Sequence, residues 1–328
     1  MAKGFLDGKT ILITGGTGTF GSAMVKHLLT TTKAGRVIVF SRDEYKQSQM
    51  AAAFQHDPRL AFFIGDVRDA VRLHRAFNQV DIVIHAAALK QVPALEYNPT
   101  EAIETNIMGT KNVIDAAHDR NVERVLFISS DKAVQPINLY GATKLCGERL
   151  AVAANAYRGR HGKTRISVVR YGNVIGSRGS LVELIEKQRT TGSLTLTDER
   201  MTRFWLHITD IMKLVTHILD IMEGGEIFVP KMQSLKVVDV MKVLAPDCSI
   251  KTIGMRPGEK LHETLITEHE APRARDLGDM YVIVPEFQTW YTTKSFQKKK
   301  PFPKDSVYVS NSPDYLLPLK DVKKVLHL

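Results

Sequence analysis

Two cysteines in 328 residues, Cys146 and Cys248, are too few for a disulfide framework or a thiolate metal cluster. No set of histidine, cysteine and acidic residues has the spacing of a metal site, so none is expected. No run approaches the roughly 18 uncharged apolar residues that a membrane-spanning helix needs. Met1-Ala2-Lys3-Gly4-Phe5-Leu6-Asp7 meets a charge at its third residue and runs into a strand pattern, unlike a signal peptide. Internal repeats and long low-complexity tracts are missing too. These absences predict a protein of the reducing cytoplasm with no membrane partner. The chain carries 45 Lys and Arg against 35 Asp and Glu, a formal net charge of +10. The single dense basic run is Lys298-Lys299-Lys300, and no nucleic-acid-binding motif accompanies it, so nucleic acid is not the expected partner. A polyanionic small molecule would use part of the charge; the rest reads as solvated surface.

What is present is a rhythm. Short apolar, β-branched runs at Thr10–Thr14, Val37–Phe40, Leu60–Ile64, Asp81–His85, Val125–Ser129, Ile166–Tyr171 and Glu226–Val229 alternate with helix-length segments. Those segments include Phe20–Thr30, Pro99–His118 and Tyr140–Arg158. The strand runs are almost continuously apolar, as strands buried on both faces of a parallel sheet must be. The pattern predicts an α/β fold with a doubly wound parallel (Rossmann) sheet and a smaller, discontinuous α/β lobe. Residues 1–175 form the expected dinucleotide-binding domain, with 206–230 packing back onto it through an amphipathic helix at His207–Met222. Residues 176–205 and 231–328 form the expected lobe, where Pro246, Pro257, Pro272, Pro285, Pro301 and Pro303 break the elements.

The first strand is followed by Gly15-Gly16-Thr17-Gly18-Thr19-Phe20-Gly21 and then a helix. Glycines there permit a tight turn, backbone approach to a pyrophosphate and close helix packing, with phosphates at the helix N-terminus. Near the end of the second strand, an acid would hold a ribose 2′-hydroxyl and an arginine a 2′-phosphate. Ser41-Arg42 stands there, so NADP is expected; Asp43 and Glu44 follow and would favour NAD if the strand ended later. Asp66-Val67 after the third strand is expected at the adenine edge, and Ala86-Ala87-Ala88 after the fourth on the nicotinamide side.

Tyr140 and Lys144 are four residues apart, hence on one helix face. A free phenol titrates at about 10, and a neighbouring cation is expected to lower it toward working pH, making Tyr140 a candidate base. Ser129-Ser130-Asp131-Lys132 ends the fifth strand, an edge that faces the cofactor in such folds; there Asp131 and Lys132 can divide acid and base work. His85 and His207 are isolated and read as structural.

The runs Ser129-Ser130-Asp131-Lys132-Ala133-Val134 and Pro136-Ile137-Asn138-Leu139-Tyr140-Gly141-Ala142-Thr143-Lys144 closely resemble the soluble inverting UDP-N-acetylglucosamine 4,6-dehydratases, extended short-chain dehydrogenases/reductases of the pseudaminic acid pathway. Ala87-Ala88-Leu89-Lys90-Gln91-Val92-Pro93, Val169–Ser180, Met201–Trp205, Glu226–Lys231 and Arg256–Glu263 carry the same resemblance, which spans residues 5 to about 285. It implies a lyase with no net redox change. Tyr140 and Lys144 serve oxidation at sugar C4, Lys132 removes the C5 proton, and Asp131 protonates the departing C6 hydroxyl. Hydride then returns to C6, and C5 is reprotonated from the opposite face. The resemblance implies cofactor contacts from Gly15, Thr17, Gly18, Thr19, Phe20, Ser41, Arg42, Asp66, Val67, Ala86, Ala87, Lys90, Ser129, Tyr140, Lys144 and Asn173. It implies substrate contacts from Lys90, Ser130, Asn173, Val174, Arg178, Thr202, Arg203, Arg256 and Glu259. A homo-oligomer, from dimer to hexamer, goes with it. Relatives acting on glucose nucleotides carry two acids where Asp131-Lys132 stands, and some Asp–Lys dehydratases have Met in place of Tyr140. A 5-retaining dehydratase, a nucleotide-sugar epimerase or reductase and a non-catalytic NADP-binding regulator are the competing readings.

Overall fold

The computed structural model describes residues 4–157, 162–177, 179–287 and 295–327. The first six strands of the chain run parallel in the main sheet, where a seventh joins them later: β1 (Thr10–Thr14), β2 (Arg36–Ser41), β3 (Leu60–Ile64), β4 (Ile82–His85), β5 (Arg124–Ile128) and β6 (Arg165–Val169). Their spatial order is β3-β2-β1-β4-β5-β6, so the winding reverses between β1 and β4. The crevice at that reversal, outside the strand carboxyl ends, is where open α/β sheets bind ligands.

Strand periodicity divides the apolar residues between two faces. Ile11, Ile13, Val37, Val39, Ile82 and Ile84 pack into one buried cluster. Leu12, Ile38, Phe40 and Val83 pack into another. Each fully buried aliphatic side chain contributes about 1.5–3 kcal/mol, which is why these runs lack polar alternation. The helix Ile208–Ile221 joins the first cluster through Ile211, Val215 and Ile218, as its amphipathic pattern predicts.

Beyond β6 come β7 (Asn173–Ile175) and β9 (Thr202–His207), which build a small layer, β8 (Ser193–Leu196), which belongs to a separate two-stranded sheet, and β10 (Ile227–Pro230), which returns to the main sheet. β10 pairs parallel with β6. After it come β11 (Gln233–Lys236), β12 (Ser249–Thr252), β13 (Thr264–Ile266), β14 (Ala274–Asp276), β15 (Met280–Ile283), β16 (Lys300–Pro301) and β17 (Tyr308–Val309). β11, β9 and β7 form a three-stranded sheet over a third cluster that includes Leu194, Trp205, Leu235 and Met241.

The expected lobe boundary needs correcting here. Residues 231–328 do not all leave the main sheet, because β15 adds antiparallel to β10 and is followed outward by β14 and β16. Met280–Ile283 is buried throughout. Pro246, Pro257, Pro272, Pro285 and Pro303 lie between these short strands, as expected of breaks, while Pro301 occupies the edge strand β16, where a missing N–H is tolerated. Among the described residues no helix is long and apolar enough to cross a membrane.

Candidate active site

The turn after β1 is forced by close packing. Gly15 has φ +66°, and a Cβ there would stand 2.9 Å from Ala87 Cα. Gly18 is the N-cap of the helix Thr19–Thr31 and supplies no side chain to close it, which leaves that end fit for a pyrophosphate. Gly15, Thr17, Gly18, Thr19, Phe20, Ala86, Lys90, Ser129, Tyr140, Lys144 and Asn173 line one cleft of about 890 Å³. That size suits a small-molecule site at a switch point.

The outer cofactor residues lie off this cleft. Ser41 is buried and accepts a hydrogen bond from Gln47 (2.9 Å). Arg42 is exposed and 3.6 Å from Asp66. The Asp43 carboxylate caps the next helix by accepting from Lys46 N–H (2.9 Å) and pairs with Lys46 Nζ (2.6 Å). Burial raises the Asp66 pKa, but the hydrogen-bonded Arg68 and then Arg42 outweigh it and hold the carboxyl below its usual value. Val67 is buried beside Gly109, and Ala87 N–H donates to Thr14 Oγ1 (3.2 Å). Lys46 lines the cleft and was missed in the sequence, where it reads as one more surface lysine.

At the end of β5 the chain turns through Asp131–Ala133 and enters the helix Leu139–Ala153, capped by Asn138 Oδ1 on Gly141 N–H (2.8 Å). A Cβ on Gly141 would collide with the Lys132 carbonyl, so glycine after Tyr140 is what lets turn and helix touch. The four catalytic candidates are thereby gathered. Lys132 Nζ lies 3.0 Å from Asp131 Oδ2 and 3.3 Å from Asn173 Oδ1, and Ser130 Oγ donates to Asp131 Oδ1 (2.7 Å). Ser130 faces the Tyr140 phenol and pulls its pKa downward. Lys144 Nζ donates to Ile128 O (2.6 Å) and sits 4.1 Å from the centre of the Phe127 ring.

Their electrostatics depart from expectation. Burial pushes the Tyr140 phenol up to about 12, with Lys132 pulling against it and Asp131 adding to it. The anticipated lowering by Lys144 is absent because Lys144 itself is drawn down to about 7 by burial, against the opposing charge of Glu148. Burial also lowers Lys132, but Asp131 and Glu263 more than offset it and hold the ammonium above its ordinary value.

On the substrate side, Ser130, Asn173, Val174, Arg203, Arg256 and Glu259 line the cleft. A second hollow of about 330 Å³ shares Asn173, Arg203, Arg256 and Glu259 with it. Thr202 is a correction: it is 1% exposed, and its hydroxyl is tied to His262 Nδ1 (2.8 Å) and Ser310 Oγ (2.7 Å). Strand alternation turns Arg203 and Trp205 to the cleft and Thr202 away. Arg178 lies outside the described residues. Asn106, also unforeseen, holds the Leu89 backbone at both N–H (2.8 Å) and C=O (2.9 Å). His85 is a core residue between Thr14 and Thr110, kept neutral by burial and Lys144, which lower it to about 3. Among the described residues no group of three or more metal-ligating side chains occurs.

Residues 11–285 match the sequence profile of a polysaccharide biosynthesis protein family. The chain belongs to this family. Its relatives include an inverting UDP-N-acetylglucosamine 4,6-dehydratase of Campylobacter jejuni, 49% identical over 85% of this chain and 84% of the relative. A UDP-glucose 4-epimerase of Rickettsia typhi is 40% identical over 98% of this chain and 96% of its own. Among solved structures, Pen from Bacillus thuringiensis superposes with a TM-score of 0.89 at 35% identity, covering 98% of this chain and 99% of that one. The dTDP-glucose 4,6-dehydratase DesIV of Streptomyces venezuelae, solved with NAD bound, has a TM-score of 0.69 at 26% identity over 77% of this chain and 86% of its own.

Proposed function

We propose that this member of the family is a UDP-N-acetylglucosamine 4,6-dehydratase that inverts C5. Its product would be a UDP-2-acetamido-2,6-dideoxy-4-keto-L-arabino-hexose. The observation that carries the reading is the Asp131–Lys132 pair, 3.0 Å apart on the cleft wall, with Ser130 bonded to Asp131 on the side that faces Tyr140. An epimerase needs the phenol and Lys144 but has no use for an acid and an amine beside them, so the pair favours dehydration over the epimerase relatives.

A nicotinamide dinucleotide on the Gly15–Phe20 loop would supply reversible hydride acceptance at C4 and its return to C6. The protein's own part is proton transfer. The C4 hydroxyl proton passes to Tyr140 as the phenol gives up its own through Ser130 to Asp131. Asp131 then protonates the C6 hydroxyl, which departs as water. Lys132, once it has released the proton that Asp131 and Glu263 favour, takes the C5 proton, acidified by the adjacent ketone, and passes it to solvent, while C5 receives a solvent proton on the other face. The proton lost at C4 thus leaves in the water. NADP is the reading for the cofactor: Asp43 is already occupied as a helix cap, whereas Arg42 is exposed and Lys46 borders the cleft. The lobe containing β7, β9 and Arg256 is read as the sugar-nucleotide side.

The test is incubation with UDP-N-acetylglucosamine, following the 4-keto product by its absorbance in alkali and deuterium entry at C5 by NMR. Lys132→Ala should abolish both signals; undiminished turnover would remove Lys132 from the mechanism.

A further inference from the structure

Glu263 sits just ahead of β13 and is 2% exposed, yet its carboxylate reaches the cleft wall. Oε1 lies 3.3 Å from Lys132 Nζ and 3.6 Å from Arg203 Nε, and Oε2 lies 3.9 Å from Lys260 Nζ. Oε2 is buried and has no hydrogen-bond partner among the described residues. Lys260, whose ammonium donates to Val134 O (2.5 Å), stands too far from it for a hydrogen bond, at 3.9 Å. A buried carboxylate with an unsatisfied oxygen is costly. Packing for stability alone would close that vacancy or put an apolar residue there.

The Glu263 backbone is also held from behind. Glu263 N–H donates to Ser310 Oγ (2.9 Å), and Ser310 N–H donates back to Glu263 O (2.8 Å). Ser310 follows β17, whose Tyr308 is fully buried and bonds the Met232 backbone at both N–H (2.6 Å) and C=O (2.9 Å). This clamp comes from residues beyond the 11–285 family match.

We infer that Glu263 is a positioning residue for Lys132: fixed from behind by the Ser310 segment, it aims the amine into the cleft and stabilises the ammonium formed when Lys132 takes the C5 proton. The inference rests on Lys132 being the group that exchanges that proton. It parallels a buried acid behind a histidine base, which stabilises the charge the base acquires. The other groups facing Lys132 are Asp131 on its own turn, Arg203 from β9, Lys260 beside Glu263, Tyr140 from the following helix and the neutral Asn173 from β7. Glu263 is thus one of two anions set against two cations, and the electrostatic pull of both anions on Lys132 is upward.

The experiment is the pH dependence of kcat for dehydration of UDP-N-acetylglucosamine by the wild-type protein, Glu263→Gln and Glu263→Asp, each checked for an unchanged melting transition. Activity rises with pH as Lys132 loses its proton. Removing the Glu263 charge should move that rising limb to lower pH by about one unit and lower the plateau on the order of tenfold, the amine being a weaker base. KM should change little, and Glu263→Asp should keep the wild-type limb. An unmoved limb in Glu263→Gln, with or without lost activity, overturns the inference. If Glu263→Gln fails to fold, Glu263→Asp decides: a limb shifted as far as loss of the charge would shift it also overturns the inference. Lys132→Ala separates the two levels, since continued C5 exchange there defeats the assignment of Lys132, whereas an inactive Lys132→Ala beside an unmoved Glu263→Gln limb defeats only the role of Glu263.

Discussion

Replacing Lys144 by Met should make the protein more stable and less active. Lys144 is 4% exposed, and its charge is opposed by burial strongly enough to bring its pKa from 10.5 to about 7. Because the folded-state value lies below the unfolded one, the unfolded chain binds more protons between pH 7 and 10.5. Stability from this group therefore rises with pH across that window and is lowest at and below pH 7. At about 1.4 kcal/mol per unit, a shift of some 3.5 units costs on the order of 5 kcal/mol at pH 7 and roughly 3 kcal/mol at pH 8.5. Methionine keeps the aliphatic stem but forfeits the bond to Ile128 O, about 1 kcal/mol. Lys144→Met should then gain several kcal/mol at pH 7. At roughly 1–2 °C per kcal/mol for a chain of this size, the melting temperature rises by about 5 °C, and the gap narrows by pH 10. Scanning both proteins from pH 6 to 10 measures this, with dehydration expected to fall at least a hundredfold. Parallel pH profiles, or a variant less stable at pH 7 than at pH 10 relative to wild type, would refute the reasoning.

Two other expectations follow from the same coordinates. Arg42→Ala should weaken NADP binding roughly ten- to a hundredfold while leaving NAD binding unchanged, read by titration of each dinucleotide; equal losses for both would tie Arg42 to something other than a 2′-phosphate. Arg170 is buried against Glu148 (2.7 Å) and Glu270 (3.1 Å), so Arg170→Met strands two carboxylates and should cost about 3–5 kcal/mol in thermal or denaturant unfolding. Replacing both acids by Gln in that background should restore much of the loss.

The parallel sheet was legible because its strands are short apolar runs whose periodicity is local: β1 and β3 begin and end where the sequence pattern does. So was the meeting of Asp131, Lys132, Tyr140 and Lys144, since one strand end and one helix carry all four. What stayed hidden depends on contacts between distant segments. The addition of β15 to β10 is a pairing across about fifty residues that no local pattern announces. Thr202 seemed a cleft residue beside Arg203 until strand alternation turned it inward. Glu263 lay inside a recognisable run, but only the fold brings it 3.3 Å from Lys132. The Tyr140 pKa was misjudged because Lys144 was assigned its charge without its burial.

The two lysines of the site divide over the balance of burial and charge. Burial pulls both down, although Lys144 is 4% exposed and the Lys132 side chain 27%. Lys132 has Asp131 at 3.0 Å and Glu263 at 3.3 Å, so attraction outweighs burial and the amine remains a strong base. Among the described residues Lys144 has no ion pair of that kind: Glu148, whose charge supports it, is engaged by Arg170 and Ser129, and its own bond goes to a backbone carbonyl. It therefore titrates near neutrality. Identical side chains in adjoining positions are driven in opposite directions by where the carboxylates stand. A strong base suits removal of a carbon-bound proton. An amine that gives up its charge readily suits a place beside a phenol and a hydride acceptor that changes charge within each turnover. Exchanging the environments, as Glu263→Gln begins to do, should therefore impair the C5 step before it affects oxidation at C4. That order is measurable as loss of C5 deuterium exchange with hydride removal from C4 still intact.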